Sequence, residues 1–306
     1  MTPEILIALL AATVQSGTPI LYATLGEILT ERAGVLNLGV EGILMVGALA
    51  GFLAAKMTGS PALGFMAAGL AGMALAGLHG LVCLVFLGNQ VVSGLALTIL
   101  GIGVADYLGT PYIGQSAPGF NHWPLPVLNQ IPVAGPIFFD QDPLVYLSYL
   151  APLLLWLFLR YTRWGLGIRA VGEHPVAAQA AGLQVLWYRW AAVLFGGFLG
   201  GLGGGYLSLA YTHLWTNGLS AGRGWIAVAL VIFAFWHPGR AVLGAYLFGG
   251  VMAFQLRLQA MGTNLPSSLL LMLPYALTVV VLVLSSWKAR GSEAPAVLGI
   301  NMAPPD

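Results

Sequence analysis

RYTRWGLGIRAVGEHPVAAQAAG, residues 160–182, interrupts sequence that is apolar on both sides. Four of the eleven Lys and Arg residues fall between Arg160 and Arg189. The insert is too long for a tight turn and too short for a domain. It reads as a polar handle on a chain that otherwise lives in lipid. Composition agrees: of 306 residues only 7% are charged and 58% are hydrophobic, and the mean hydropathy is +0.88. A soluble chain of this length would carry about a quarter charged residues.

Apolar runs near the ~20 residues that span a bilayer recur along the whole length. Inside lipid every backbone group must be paired within the protein, so such runs are helices. The fold class is therefore an all-α polytopic membrane protein, a single transmembrane domain over residues 1–306. Nine candidate spans are read, within a range of eight to ten: 5–27, 35–55, 62–87, 90–109, 144–160, 186–210, 222–237, 240–259 and 267–286. The run at 222–237 is short, and Gly and Pro punctuate others, which points to broken helices. The first run lacks a basic flank and reads as a retained span. The net charge of +1 and the absence of a basic cluster give no sign of a nucleic-acid partner. The single cysteine, Cys83, excludes an intrachain disulfide.

Basic residues orient the spans. With the 160–185 loop and the C-terminal end in the cytoplasm, Arg32, Arg160, Arg163, Arg169, Arg189, Arg240, Lys288 and Arg290 lie inside. Lys56, Arg223 and Arg257 lie outside, a bias of eight to three. Residues 111–142, with six prolines, then form an ordered extracytoplasmic loop. It serves either as a cap or as a docking surface. In the handle, Pro175 suits a first helical turn and Gly182 suits a stop, giving a helix of about two turns, with Glu173 favourably placed near its N-terminal dipole.

Two glycine rows, Gly196/Gly200/Gly204 and Gly197/Gly201/Gly205, are spaced for close helix packing. Gly165-Leu-Gly-Ile-Arg-Ala170 has the letters of a dinucleotide fingerprint but not its strand-to-helix setting. Polar groups at span starts are the candidate solute path. LGEILTERAGVLNLGVEG (25–42) supplies Asn37 and Glu41, and GNQVVSGLALT (88–98) supplies Asn89, Gln90, Ser93 and Thr98. Such groups are costly against lipid and are expected to face protein or water. They serve either that path or interhelical hydrogen bonding. The Gly-rich turns near residue 30 and at 216–225 fall on opposite membrane sides in this topology, which would fit an inverted repeat. His79 reads as a hydrogen-bonded packing residue. No catalytic set, metal cluster or cofactor motif is present, so an enzyme is not expected.

Four words in this order resemble the permease subunits of bacterial ABC importers: LGEILTERAGVLNLGVEG, GNQVVSGLALT, GLGIRAVGEHPVAAQAAG and SAGRGWIAVALVIFAFWHPG. That superfamily handles branched-chain amino acids, simple sugars and nucleosides, and the first two words are most similar to its nucleoside (guanosine-type) uptake branch. Sugar permeases tend to carry Asp-Leu-Ser-Val-Gly where this chain has Asn37-Leu-Gly-Val-Glu41. The resemblance implies a multi-pass protein of the bacterial cytoplasmic (inner) membrane. It makes Gly167, Arg169, Ala170, Gly172, Glu173, Pro175, Ala177, Ala178 and Gly182 the coupling motif that meets an ABC ATP-binding subunit, with His174 where Asn is frequent. It further implies a second, paralogous permease and an extracytoplasmic substrate-binding lipoprotein. A branched-chain amino acid or sugar permease of the same build is the nearest alternative. An ion-coupled secondary transporter is the alternative from another class.

Overall fold

A computed structural model describes residues 3–262, 266–288 and 294–301. Arg290 of the orientation argument therefore lies outside the described residues. Seven helical stretches among them are long and apolar enough to cross a membrane. They are α1 (Pro3–Arg32), α2 (Val40–Thr58), α3 (Pro61–Gly80, extended by a wide turn to Val85), α4 (Gln90–Gly109), α5 (Pro143–Tyr161), α8 (Val185–Tyr206, extended to Tyr211) and α10 (Pro238–Ala260). Between α5 and α8 stand α6 (Arg163–Glu173) and α7 (Pro175–Ala180). The other two expected spans are α9 (Arg223–Phe233), of 11 residues, and α11 (Ser267–Lys288), of 22. At 1.5 Å per residue α9 is about 16 Å long, half a bilayer core.

The glycine rows explain the centre of the bundle. α8 packs on α1, α2 and α3, and most of its apolar stretch is buried. Its two rows face different neighbours. A methyl group on Gly204 would lie 2.7 Å from the Ala48 amide nitrogen, and one on Gly205 would lie 2.6 Å from the Ala68 Cβ. Gly196 abuts the Gly26 carbonyl of α1, while Gly197 and Gly201 abut α3 at Gly72 and Ala68. Backbone therefore meets backbone on both sides, as small-residue packing in lipid requires. A second seam joins α1 to α10, where a Cβ on Gly249 would come within 2.6 Å of the Gly17 Cα.

The two ends of the bundle differ. Residues 111–142 are tied down: Trp123 N–H donates to the Gln141 carbonyl (2.9 Å) and Leu125 N–H to that of Phe139 (2.9 Å). The loop also bridges the end of α8, where Trp215 N–H donates to the Gln115 carbonyl at 3.1 Å. α6 and α7 sit at the opposite end, with Gly172 against the last carbonyl of α1 at Arg32.

Candidate functional site

Between α1 and α2 the chain turns inward at residues 33–39, and most of the candidate path residues converge on this turn. Leu36 N–H donates to Gln90 Oε1 at 2.7 Å, and Asn37 N–H donates to Glu27 Oε1 at 2.9 Å. Asn37 Oδ1 accepts Gly39 N–H (2.8 Å), and Thr98 donates to the Leu38 carbonyl (2.9 Å). His79 bonds the Leu36 carbonyl and Ser93 Oγ, both at 3.0 Å. Asn37, Gln90 and Thr98 are all buried. Their polar groups thus fasten a non-helical turn whose own amides and carbonyls would otherwise be orphaned. His79 is the hydrogen-bonded packing residue expected. Asn89 stands apart on the surface: it caps α4 by accepting Val92 N–H at 3.0 Å. It borders an open groove lined mainly by apolar α3 and α4 side chains such as Leu78, Val82, Val92 and Leu100.

Glu41 has a different task. Its Oε1 accepts the Ser220 hydroxyl (2.5 Å) and Gly222 N–H (2.8 Å), and its Oε2 accepts Gly224 N–H (2.6 Å). These donors form the N-terminus of α9, where unpaired amides and the helix dipole favour a negative charge. A carboxylate on α2 thereby caps a half-length helix from another part of the chain. Gly224 admits the contact because a Cβ there would sit 2.5 Å from the Glu41 Cα. Arg223 is buried beside it, its guanidinium 5.4 Å from the Tyr211 ring centre and hydrogen-bonded to the Ser220 carbonyl at 3.1 Å. The segment after Trp215 enters from the end of the bundle that carries the 111–142 loop and the 33–39 turn from the end that carries the handle, and Glu41 joins the two inside the protein. The acceptor needed to terminate α9 at depth is thus supplied by the first turn of α2.

At its other end α9 turns into α10 through Phe235 and Trp236, both with positive φ (52° and 53°). Bulky residues rarely hold that conformation. The Trp236 indole donates to Glu31 Oε2 at 2.5 Å, and Arg32 donates to the Trp236 carbonyl at 3.2 Å. The end of α1 thus clamps the turn.

The handle is two helices where the sequence suggested one. Thr162 caps α6 by accepting Gly165 N–H at 3.0 Å. Gly167 fits against Tyr188, and Gly172 against Arg32, while Arg169 and Ala170 are half-buried. Glu173 ends α6, and its carboxylate accepts Ala296 N–H at 3.3 Å. Pro175 opens α7, and Gly182 closes it with φ +87°. Gly182 N–H donates to the Gln179 carbonyl (2.9 Å) and Leu183 N–H to that of Ala178 (3.0 Å), a two-bond helix stop. Pro175 and Ala178 are buried, so the face open to a partner comprises Ala177, Gln179, Ala180 and Val176, the last 69% exposed. Val176 was missed by sequence reasoning because nothing local distinguishes it from its buried neighbours.

A bundle of apolar helices with helix ends capped at depth, and a polar helical handle at one end, has the build of a solute permease. The chain belongs to the family described as branched-chain amino acid transport system / permease component, which it matches over residues 9–282. It is 46% identical to TsgC13 of Haloferax volcanii, provisionally named a glucose ABC transporter permease, over 84% of this chain and 79% of that one. It is 35% identical to the nucleoside ABC transporter permease NupC of Lactococcus lactis subsp. cremoris, over 92% of each chain. It is 33% identical to the guanosine ABC transporter permease NupQ of Bacillus subtilis, over 97% of each. The chain is thus a multi-pass permease subunit of an ABC transporter in the cytoplasmic membrane. Such subunits are transport components that work with an ATP-binding subunit and a substrate-binding protein.

Proposed function

We propose that this permease forms the translocation path for a nucleoside or nucleobase and takes its drive from an ATP-binding subunit docked on α6 and α7. The observation that carries the solute class is the near end-to-end match to two relatives named for nucleoside and guanosine uptake. The higher identity to a relative named for glucose supports a second reading, import of a simple sugar. Within Asn37-Leu-Gly-Val-Glu41, Asn37 fastens the 33–39 turn and Glu41 caps α9, so the word marks lineage more directly than it marks solute contact.

In this reading α6–α7 lies in the cytoplasm and the 111–142 loop outside, as the basic residues direct. A second, paralogous permease completes the pore. Closure of the ATPase pair on ATP shifts the handle, and the helices pass from outward to inward access. The acids near the junction are occupied within the fold. The test is uptake of radiolabelled guanosine, glucose and leucine, each supplied separately, by proteoliposomes holding the whole complex. Uptake of guanosine alone is expected. Uptake of glucose alone establishes the sugar reading, and uptake of leucine alone overturns both.

A further inference from the structure

The C-terminal residues 294–301 lie across the same end of the bundle as the handle, and they touch both the handle and the inner turn. Val297 N–H donates to the Gly172 carbonyl (3.2 Å), an acceptor in the last turn of α6 with no partner inside its own helix. Ala296 N–H reaches Glu173 Oε2 (3.3 Å), and Gly299 N–H donates to the Gly34 carbonyl (3.3 Å). Asn301 then uses its whole amide. Its Nδ2 donates to the carbonyls of Leu87 and Gly88, both at 2.7 Å, and its Oδ1 accepts Gln90 Nε2 at 2.8 Å. Gln90 in turn accepts Leu36 N–H with its other atom. An unbroken series of contacts therefore runs from the end of α6, through eight residues, to the turn that sets the start of α2. Leu87, whose carbonyl Asn301 holds, has φ +54°, a conformation a leucine keeps only when its surroundings impose it.

We propose that residues 294–301 are a strap that transmits displacement of α6 to the α3–α4 turn and the 33–39 turn, with Asn301 as its positioning residue. The proposal rests on the reading that α6–α7 is the element gripped by the ATP-binding subunit. α6 already packs on the start of the 33–39 turn through Gly172 and Gly34, and the strap adds a hydrogen-bonded path from the last turn of α6 to the α3–α4 turn, engaging backbone carbonyls at each end. Pro295 is buried and Ala294 and Leu298 pack on the central apolar cluster, so the strap is held along its length.

The experiment uses the complete complex of permeases, ATP-binding subunit and binding protein in proteoliposomes, purified by size so that yield does not enter the result. Guanosine and glucose are the solutes supplied. Two variants are compared with wild type: Asn301→Ala, and an insertion of Gly-Gly-Ser after Leu298, which leaves both anchor points intact and adds slack between them. A photo-crosslinker attached at Gln179→Cys, in a Cys83→Ala background, reports contact of α7 with the ATP-binding subunit. The expected result is at least a fivefold fall in solute moved per ATP hydrolysed in both variants, with crosslinking and basal ATP hydrolysis unchanged. A wild-type ratio in either variant, with crosslinking retained, overturns the strap alone. Absence of the crosslink in the unmodified complex overturns the coupling reading and the strap with it.

Discussion

Replacing Glu41 with alanine should unseat α9, and the size of the effect can be worked from three contacts. The substitution leaves the Ser220 hydroxyl and the amides of Gly222 and Gly224 without their acceptor at a buried helix terminus. Each buried donor left unpaired costs about 1–3 kcal/mol. Neighbouring groups relax together, so the total is on the order of 3–6 kcal/mol, below the simple sum. Glu41→Gln keeps one oxygen for Ser220 and Gly222 but turns an amide group toward Gly224, which costs about 1–3 kcal/mol. Against a typical total stability of about 5–15 kcal/mol, the first change is severe and the second is tolerable. Thermal unfolding of the detergent-solubilised permease, followed by fluorescence-detected size exclusion, should rank the midpoints wild type, Glu41→Gln, Glu41→Ala. An alanine variant that melts with wild type would refute the capping argument. Loss of uptake at an unchanged midpoint would instead make Glu41 a solute contact.

Gly201→Leu should lower the midpoint through overpacking of about 1–3 kcal/mol or more, since the Ala68 carbonyl and the Gly72 Cα already touch the space a side chain would need; midpoint and folded yield check this. Single cysteines at Ser116 and Gln179, both exposed and at opposite ends of the bundle, should react with an impermeant thiol reagent from outside and inside respectively. Reversed labelling would invert the topology. Val176→Asp on the open face of α7 should cut ATP-driven uptake about tenfold, some 1.4 kcal/mol of docking energy, while the melting midpoint stays put as for other surface changes.

Local chemistry was legible where the sequence carried it locally. Pro175 and Gly182 delimit α7 because each acts through its own φ angle, and the glycine rows of α8 announce close packing through spacing alone. The shortness of the 222–237 run announced a broken helix. The purpose of the polar residues was not legible, because their partners are remote in sequence. Glu41 meets Gly224 across 183 positions, and Gln90 meets Asn301 across 211. An amide near the start of a span has the same letter whether it awaits a solute or fastens a turn. Only the fold shows that Asn37, Gln90 and Thr98 fasten the turn. Burial of Ala178 beside exposed Val176 likewise depends on which side of a six-residue helix meets α6 and α8.

The two glycine rows of α8 also bear on how this chain can change length. Each residue advances a helix by about 100°, so one inserted or deleted position between Gly196 and Gly205 would swing half of each row off its seam. Side chains would then stand where backbones now touch. The helix should accept substitutions on its outer face, at Phe195 for example, which is 59% exposed, yet admit no change of length. The 111–142 loop has no such phase to keep. Differences in length are therefore expected to collect there, leaving α8 as the fixed ruler of the bundle.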